Sequence, residues 1–276
     1  MSVTAADVNK LRQITGAGLM DCKKALVETN GDFDAAIDYL RKKGQKVSEK
    51  RADREANEGV VIARTSEDNK AGIIVHITSE TDFVAKNEDF IRFAQQVADT
   101  AINKNVKSKE ELLSQNLDGS TVSDKLNEQV GKIGEKIEVG AFERVEAETV
   151  VPYIHAGYKI GVLVGFNKAN NSNLIEAGRE VAMQIAAMRP IAVDKEDVDT
   201  AVVEREMEIG REQARQEGKP ENIIDKIAQG KVQKFYKENT LVNQDFVKDS
   251  SKTVGQRLKE VDQDLKVTSF KRVALG

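Results

Sequence analysis

One arrangement, met twice along the chain, limits the fold more than any other feature: two β-rich runs a turn apart, then an amphipathic helix. In the first copy Gly59-Val-Val-Ile-Ala-Arg and Gly72-Ile-Ile-Val-His-Ile flank Asp68-Asn69-Lys70, and Phe90, Phe93, Ala94, Val97, Ala98 and Ala101 follow at helical spacing. In the second, Val150 to Tyr153 and Gly161-Val-Leu-Val-Gly-Phe precede a helix bearing Leu174, Val181, Ala182, Ile185 and Met188. Gly72-Ile-Ile-Val is similar to Gly161-Val-Leu-Val, and Phe93-Ala-Gln-Gln-Val-Ala to Ala177-Gly-Arg-Glu-Val-Ala. A hairpin exposes an apolar face that something must cover. The expected class is therefore α+β, with two related subdomains at 58–142 and 143–276, each a sheet with a helix on one face.

The flanking regions have a different texture. Residues 1–45 read as three short helices. Thr4 caps the first, with Val8, Leu11 and Ile14 on one face, and Gly16-Ala17-Gly18 ends it. The second, from about Leu19 to Glu28, is expected to bury Leu19, Cys22, Ala25 and Leu26 and to stop at Asn30-Gly31. Asp32 caps the third, which turns Phe33, Ala36, Ile37 and Leu40 inward and is expected to close at Gly44. Helices this short hold only by packing together, as a small bundle.

Residues 46–57 carry almost no apolar side chains and read as a solvated helix or a charged linker. From about 192 to 236 a charged, helix-periodic stretch is interrupted by Gly218-Lys219-Pro220. It reads as an inserted antiparallel coiled-coil hairpin, with Ile223, Ile224, Ile227, Ala228, Val232 and Phe235 on its second arm and a first arm, Glu204 to Glu217, expected to be water-exposed. A last short helix is expected from Ser251 and a strand over Val267 to Val273.

Composition narrows the function. A single cysteine, Cys22, excludes an internal disulfide and fits a reducing compartment, and with two histidines leaves too few ligands for a His/Cys zinc site. A net charge of −4 does not favour direct nucleic-acid binding. The N-terminus has no basic segment followed by an apolar run, and no stretch is long enough to span a membrane, so the expected location is the cytoplasm. Phosphate-binding loops, nucleophile elbows and metalloprotease motifs are missing from the sequence. Glu80, Asp82, Glu88 and Asp89 cluster at a helix start, where carboxylates commonly serve as caps. His155 and Cys22 read as packing residues. The chain is expected not to be an enzyme and to need no cofactor or metal.

Thr81-Asp82-Phe83-Val84 is the segment that stands out. It leaves a buried strand and enters a helix, where a short polar loop is the usual link. Two readings are open. Phe83 is a core residue behind an N-cap at Thr81 or Asp82, or it is an apolar wedge among charges, the arrangement of a binding hot spot.

Thr81-Asp82-Phe83-Val84-Ala85-Lys86-Asn87 resembles a signature of the bacterial elongation factor Ts family. So does the run from Leu11 to Leu26, and so do Lys132-Ile133-Gly134-Glu135, the run from His155 to Val164, Gly218-Lys219-Pro220 and Ser251 to Gln256, all in the family's order. The resemblance implies an N-terminal bundle similar to ubiquitin-associated domains, two core subdomains and a coiled-coil insertion. It implies GDP release from a partner, elongation factor Tu, as the function. Carried over by position, Thr81, Asp82, Phe83 and Val84 would enter the partner near its Mg²⁺. Arg12, Leu19, Met20 and Lys23 would touch its nucleotide-binding domain, and Ile133, His155 and Val247 would face it from the core. An adaptor or chaperone-like binding module without exchange activity is the alternative class. Assembly as a heterotetramer or a homodimer is left open. Leu19 stands where many members have Met, a volume-conserving change. Many members also continue beyond position 276 with a further helix, so its contacts are expected to be absent or replaced.

Overall fold

The computed structural model describes residues 3–275. Two compact units share the chain: residues up to Arg64 with Ile73–Glu143 and the stretch from Val273, and Thr65–Gly72 with Arg144–Arg272.

The first unit opens with α1 (Ala5–Thr15), α2 (Leu19–Glu28) and α3 (Phe33–Lys50). Thr4 and Asp7 form a reciprocal cap, each side chain accepting the other's amide. The bundle core is Val8, Leu11, Cys22, Ala25, Leu26 and Ala36, with Phe33, Ile37 and Leu40 packed against it. Two residues expected inside are not there: Ile14 is 57% and Leu19 47% exposed. Both sit at helix ends facing the α1–α2 turn, where the apolar stripe runs past its cover.

After the bundle come β1 (Glu58–Thr65), β2 (Ala71–Ser79), α4 (Asp82–Ala85), α5 (Glu88–Asn103), α6 (Lys109–Ser114), β3 (Asn116–Leu117), β4 (Ser120–Thr121), α7 (Val122–Ile133) and β5 (Val139–Glu146). The sheet order is β1–β2–β5. All six apolar residues expected on the inner face of α5 are buried, and Asn87 caps the helix by accepting the amides of Asp89 and Phe90.

The third helix does not stop at Gly44. It runs two turns further, because Gly44 is used for a helix crossing and not as a terminator. A Cβ at Gly44 would lie 2.5 Å from the carbonyl oxygen of Asn127 in α7, and one at Gly131 would lie 3.2 Å from the Gly44 Cα. Backbone meets backbone there, and Arg41 flanks the crossing with an ion pair to Glu128 at 3.0 Å.

The second unit contains β6 (Thr149–His155), β7 (Ile160–Phe166), α8 (Ser172–Met188), α9 (Thr200–Gln216), α10 (Glu221–Asn239), β8 (Asp245–Phe246), β9 (Asp249–Thr253), α11 (Val254–Val261) and the part of β10 (Val267–Ala274) up to Arg272. β6 and β7 pair antiparallel, from Thr149 opposite Phe166 to His155 opposite Ile160. The sheet order is β10–β7–β6. In both three-stranded sheets, then, the second strand of a hairpin is central and a later strand adds beside it. Val151, Val162, Val164 and Phe166 join Leu174, Val181 and Ile185 of α8 in one core. Ser251 to Thr253 belong to β9, and α11 starts only at Val254, behind the Thr253 cap.

The long hairpin is formed by α9 and α10, turning at Gly218 with φ +70°. Its first arm is not simply water-exposed. Gly210 and Ala214 are buried, and a Cβ at Gly210 would come within 3.0 Å of the Ala228 Cα. The seam on that arm is made of small residues, so apolar periodicity does not reveal it.

Candidate functional site

At the end of β2 the chain must leave a buried central strand and begin a helix only four residues long. Such a helix satisfies almost none of its own backbone donors and cannot persist alone. Thr81 is its N-cap residue, with extended backbone, yet its side chain makes no cap. The hydroxyl instead donates to Glu135 Oε1 at 2.6 Å, and the amides of Glu80 and Thr81 both donate to Glu135 Oε2 at 3.0 Å. Glu135 is delivered to this place by the end of α7, where Gly134 turns left-handed with φ +81°.

The reverse connection is also made. The Glu80 carboxylate accepts the Lys136 amide at 2.6 Å, and Arg51 and Arg54 reach it at 2.6 and 3.1 Å. Partial burial pushes the Glu80 carboxyl up, but the Lys136 amide and the two guanidinium groups outweigh it and hold the group below its ordinary value. Two carboxylates therefore cross-brace the two backbone segments. Arg51 and Arg54 come from the stretch expected to be a solvated helix or a linker.

On this braced base the side chains divide. Phe83 is 82% exposed, so the core-residue reading does not hold. Asp82 pairs with Lys86 at 2.6 Å across one helical turn. Thr81 and Val84 are half-buried. Phe83, Val84, Phe90, Lys132 and half-buried Ile133 line an open groove of about 370 Å³ beside the turn.

The other residues singled out from sequence lie on separate turns. Met20 is 71% exposed, and Leu19, Arg12 and Lys23, on the helices either side of the α1–α2 turn, are exposed as well. In the second unit His155 is exposed at the end of β6, its Nδ1 2.8 Å from the Tyr153 hydroxyl, so it is not a packing residue. Val247 is 60% exposed, next to buried Phe246, between β8 and β9. Beneath it the buried Gln184 accepts the Val247 amide at 2.8 Å and donates to the Asp245 carbonyl and the Gln244 side chain, both at 3.1 Å. Sequence reasoning missed Gln184 entirely and gave Glu135 no role, although it lies within a motif quoted above.

No group of three or more His, Cys, Asp or Glu among the described residues is placed to hold a metal. Among them, too, no helix is long and apolar enough to cross a membrane. An exposed aromatic ring on a fixed turn is the arrangement of a protein-docking hot spot, and binding proteins are the class that it fits.

Comparison with known proteins gives that class a family. Residues 80–276 match the family model described as Elongation factor TS. The chain is 55% identical over 274 residues to an elongation factor Ts from Christiangramia forsetii, covering 99% of each chain. It is 53% identical to one from Flavobacterium psychrophilum, over 100% of this chain and 99% of that protein. An elongation factor Ts from Clostridium perfringens is 47% identical over 99% of this chain and 93% of its own length. The chain belongs to the elongation factor Ts family. It is a translation elongation factor that acts in nucleotide exchange on elongation factor Tu.

Proposed function

We propose that exchange proceeds by insertion of Asp82 and Phe83 into elongation factor Tu near its Mg²⁺ site, loosening GDP so that GTP can replace it. The observation that carries this reading is the 82% exposure of Phe83 on a turn fixed from both sides. A free aromatic ring costs solvation and is retained where a partner covers it.

The mechanism is one of linkage and involves no bond-making by this chain. A nucleoside diphosphate is held by backbone amides and by Mg²⁺. A ring that separates the elements shaping that site weakens the grip, and by reciprocity bound nucleotide weakens docking of the ring by the same factor. The factor then needs affinity for the nucleotide-free conformation of its partner. The half-buried Asp82 carboxylate, paired with Lys86 across the turn, enters beside the ring, where it disturbs the ligands of the cation. Leu19, Met20, Arg12 and Lys23 from the bundle, and Ile133, His155 and Val247 from the core, supply docking contacts that do not themselves open the site.

Release of a fluorescent GDP analogue from purified elongation factor Tu tests this. The wild-type chain accelerates release. Phe83→Ala and Asp82→Ala lose most of that acceleration while melting at the wild-type temperature, because both side chains lie outside the core. Full acceleration by Phe83→Ala would remove the insertion mechanism.

A further inference from the structure

We infer that Glu135 is a positioning residue for exchange, its carboxylate clasping the backbone of Glu80 and Thr81 so that the Asp82–Ala85 turn presents Phe83 in its docking geometry before the partner arrives. This rests on the insertion reading above and adds to it a group that touches neither nucleotide nor metal.

The turn lacks support of its own. A single helical turn fixes several dihedrals for very few internal hydrogen bonds, so it is unfavourable without external support. Its expected cap is absent, because the Thr81 hydroxyl points to Glu135. Glu135 does not supply that cap; it anchors the two residues before the helix, taking two amides and one hydroxyl at 3.0, 3.0 and 2.6 Å. Charge-assisted bonds of this kind are about twice as strong as neutral ones. Glu80 adds the return connection to Lys136, while Ser79, fully buried, donates to the Thr81 carbonyl at 3.0 Å. The amides of Glu80 and Thr81 and the hydroxyls of Ser79 and Thr81 are thus all engaged before the turn begins. A turn ordered in advance pays its conformational entropy on folding and not on docking. Releasing one residue's backbone would weaken docking by roughly tenfold.

The test uses the full chain, fluorescent GDP release from elongation factor Tu, and a mutant cycle. Glu135→Ala should slow exchange about tenfold. Glu135→Gln should recover to within about threefold of wild type, since an amide oxygen still accepts the two amides and its NH₂ faces the Thr81 hydroxyl. In a Phe83→Ala background, at factor concentrations where acceleration is still measurable, Glu135→Ala should add less than about twofold, because the ring it positions is gone. Hydrogen exchange should show the Glu80 and Thr81 amides losing protection in Glu135→Ala while interior amides of β2 and α5 keep theirs.

Full, independent loss from Glu135→Ala on top of Phe83→Ala would overturn the inference. So would wild-type exchange by Glu135→Ala alongside a defective Phe83→Ala, a result that leaves the insertion reading standing. Wild-type exchange by Phe83→Ala would sink the insertion reading itself. Should Glu135→Ala fail to fold, Thr81→Val takes its place in the cycle. It removes one of the three bonds, and a loss of about threefold is expected. A loss of equal size with Phe83→Ala present overturns the inference in the same way.

Discussion

Phe83 and Val247 each stand on a short turn whose backbone is held by a side chain reaching from another element of the same unit, and the two braces differ in charge. The Phe83 turn is held by Glu135, half-buried, with Glu80, Arg51 and Arg54 around it. The Val247 turn is held by Gln184, which is 1% exposed. The difference follows from desolvation. A carboxylate at the depth of Gln184 would lose its hydration and could not donate to the Asp245 carbonyl or the Gln244 side chain, whereas an amide both accepts and donates there. Near the surface the carboxylate keeps partial solvation, and its bonds to donors gain from its charge. A charged brace can grip harder, but it titrates.

The largest expected effect separates the turns by function. Phe83→Ala should slow GDP release by about thirtyfold, the scale of a central hot spot at about 2 kcal/mol, with thermal stability unchanged. A comparable defect from Val247→Ala would make the two turns equivalent and break the comparison.

Next in size is the neutral brace. Gln184→Leu leaves the Val247 amide and Asp245 carbonyl without their partner, at a cost of about 1–3 kcal/mol. Thermal denaturation should shift down by roughly 2–8 °C, and the Val247 amide should lose protection from exchange. An unchanged melting temperature would show that the brace carries no stability.

Acid should then distinguish the braces directly. Glu80 in the fold titrates below its ordinary 4.5, so the unfolded chain binds more protons as pH falls past that value. Its stabilisation is complete above pH 4.5 and lost as pH drops through the lower folded value. The Lys136 amide resonance should move over that acid range, while the Val247 amide, held by Gln184, stays put. Movement of both together would mean that a shared unfolding step is being observed. The smallest effect is Val247→Ala on partner affinity, about 0.5–1 kcal/mol, or a few-fold in the dissociation constant measured with nucleotide-free elongation factor Tu.

What sequence could show of this molecule depended on whether the signal was local. The α5 face repeats over four turns, so each of its six apolar positions was readable. The β6–β7 pairing followed from two runs close in the chain. Phe83 was undecidable, because a four-residue helix has no periodicity and its exposure depends on what packs around it. Gly44 looked like a helix stop because glycine commonly is one; its partners, Asn127 and Gly131, lie more than eighty positions on. Gly210 and Ala214 were invisible as a seam because they carry little apolar area, and Arg51 and Arg54 read as linker charges because the carboxylate that collects them is distant in sequence. The stretch holding α6, α7 and β5 carried a family motif but no legible pattern of its own.

Where Gly44 of α3 meets Gly131 of α7, the joint has no cushion. Most helix contacts pass load through side chains that can change rotamer and absorb a small error. Here main chain rests on main chain, and a displacement of one helix is inherited by the other undiminished. Gly131 lies one helical turn before the Gly134–Glu135 exit of α7. The helix that ends the N-terminal bundle and the carboxylate beneath Phe83 are thus registered against the same fixed datum. A single methyl group added at that crossing would put the whole layout out of gauge.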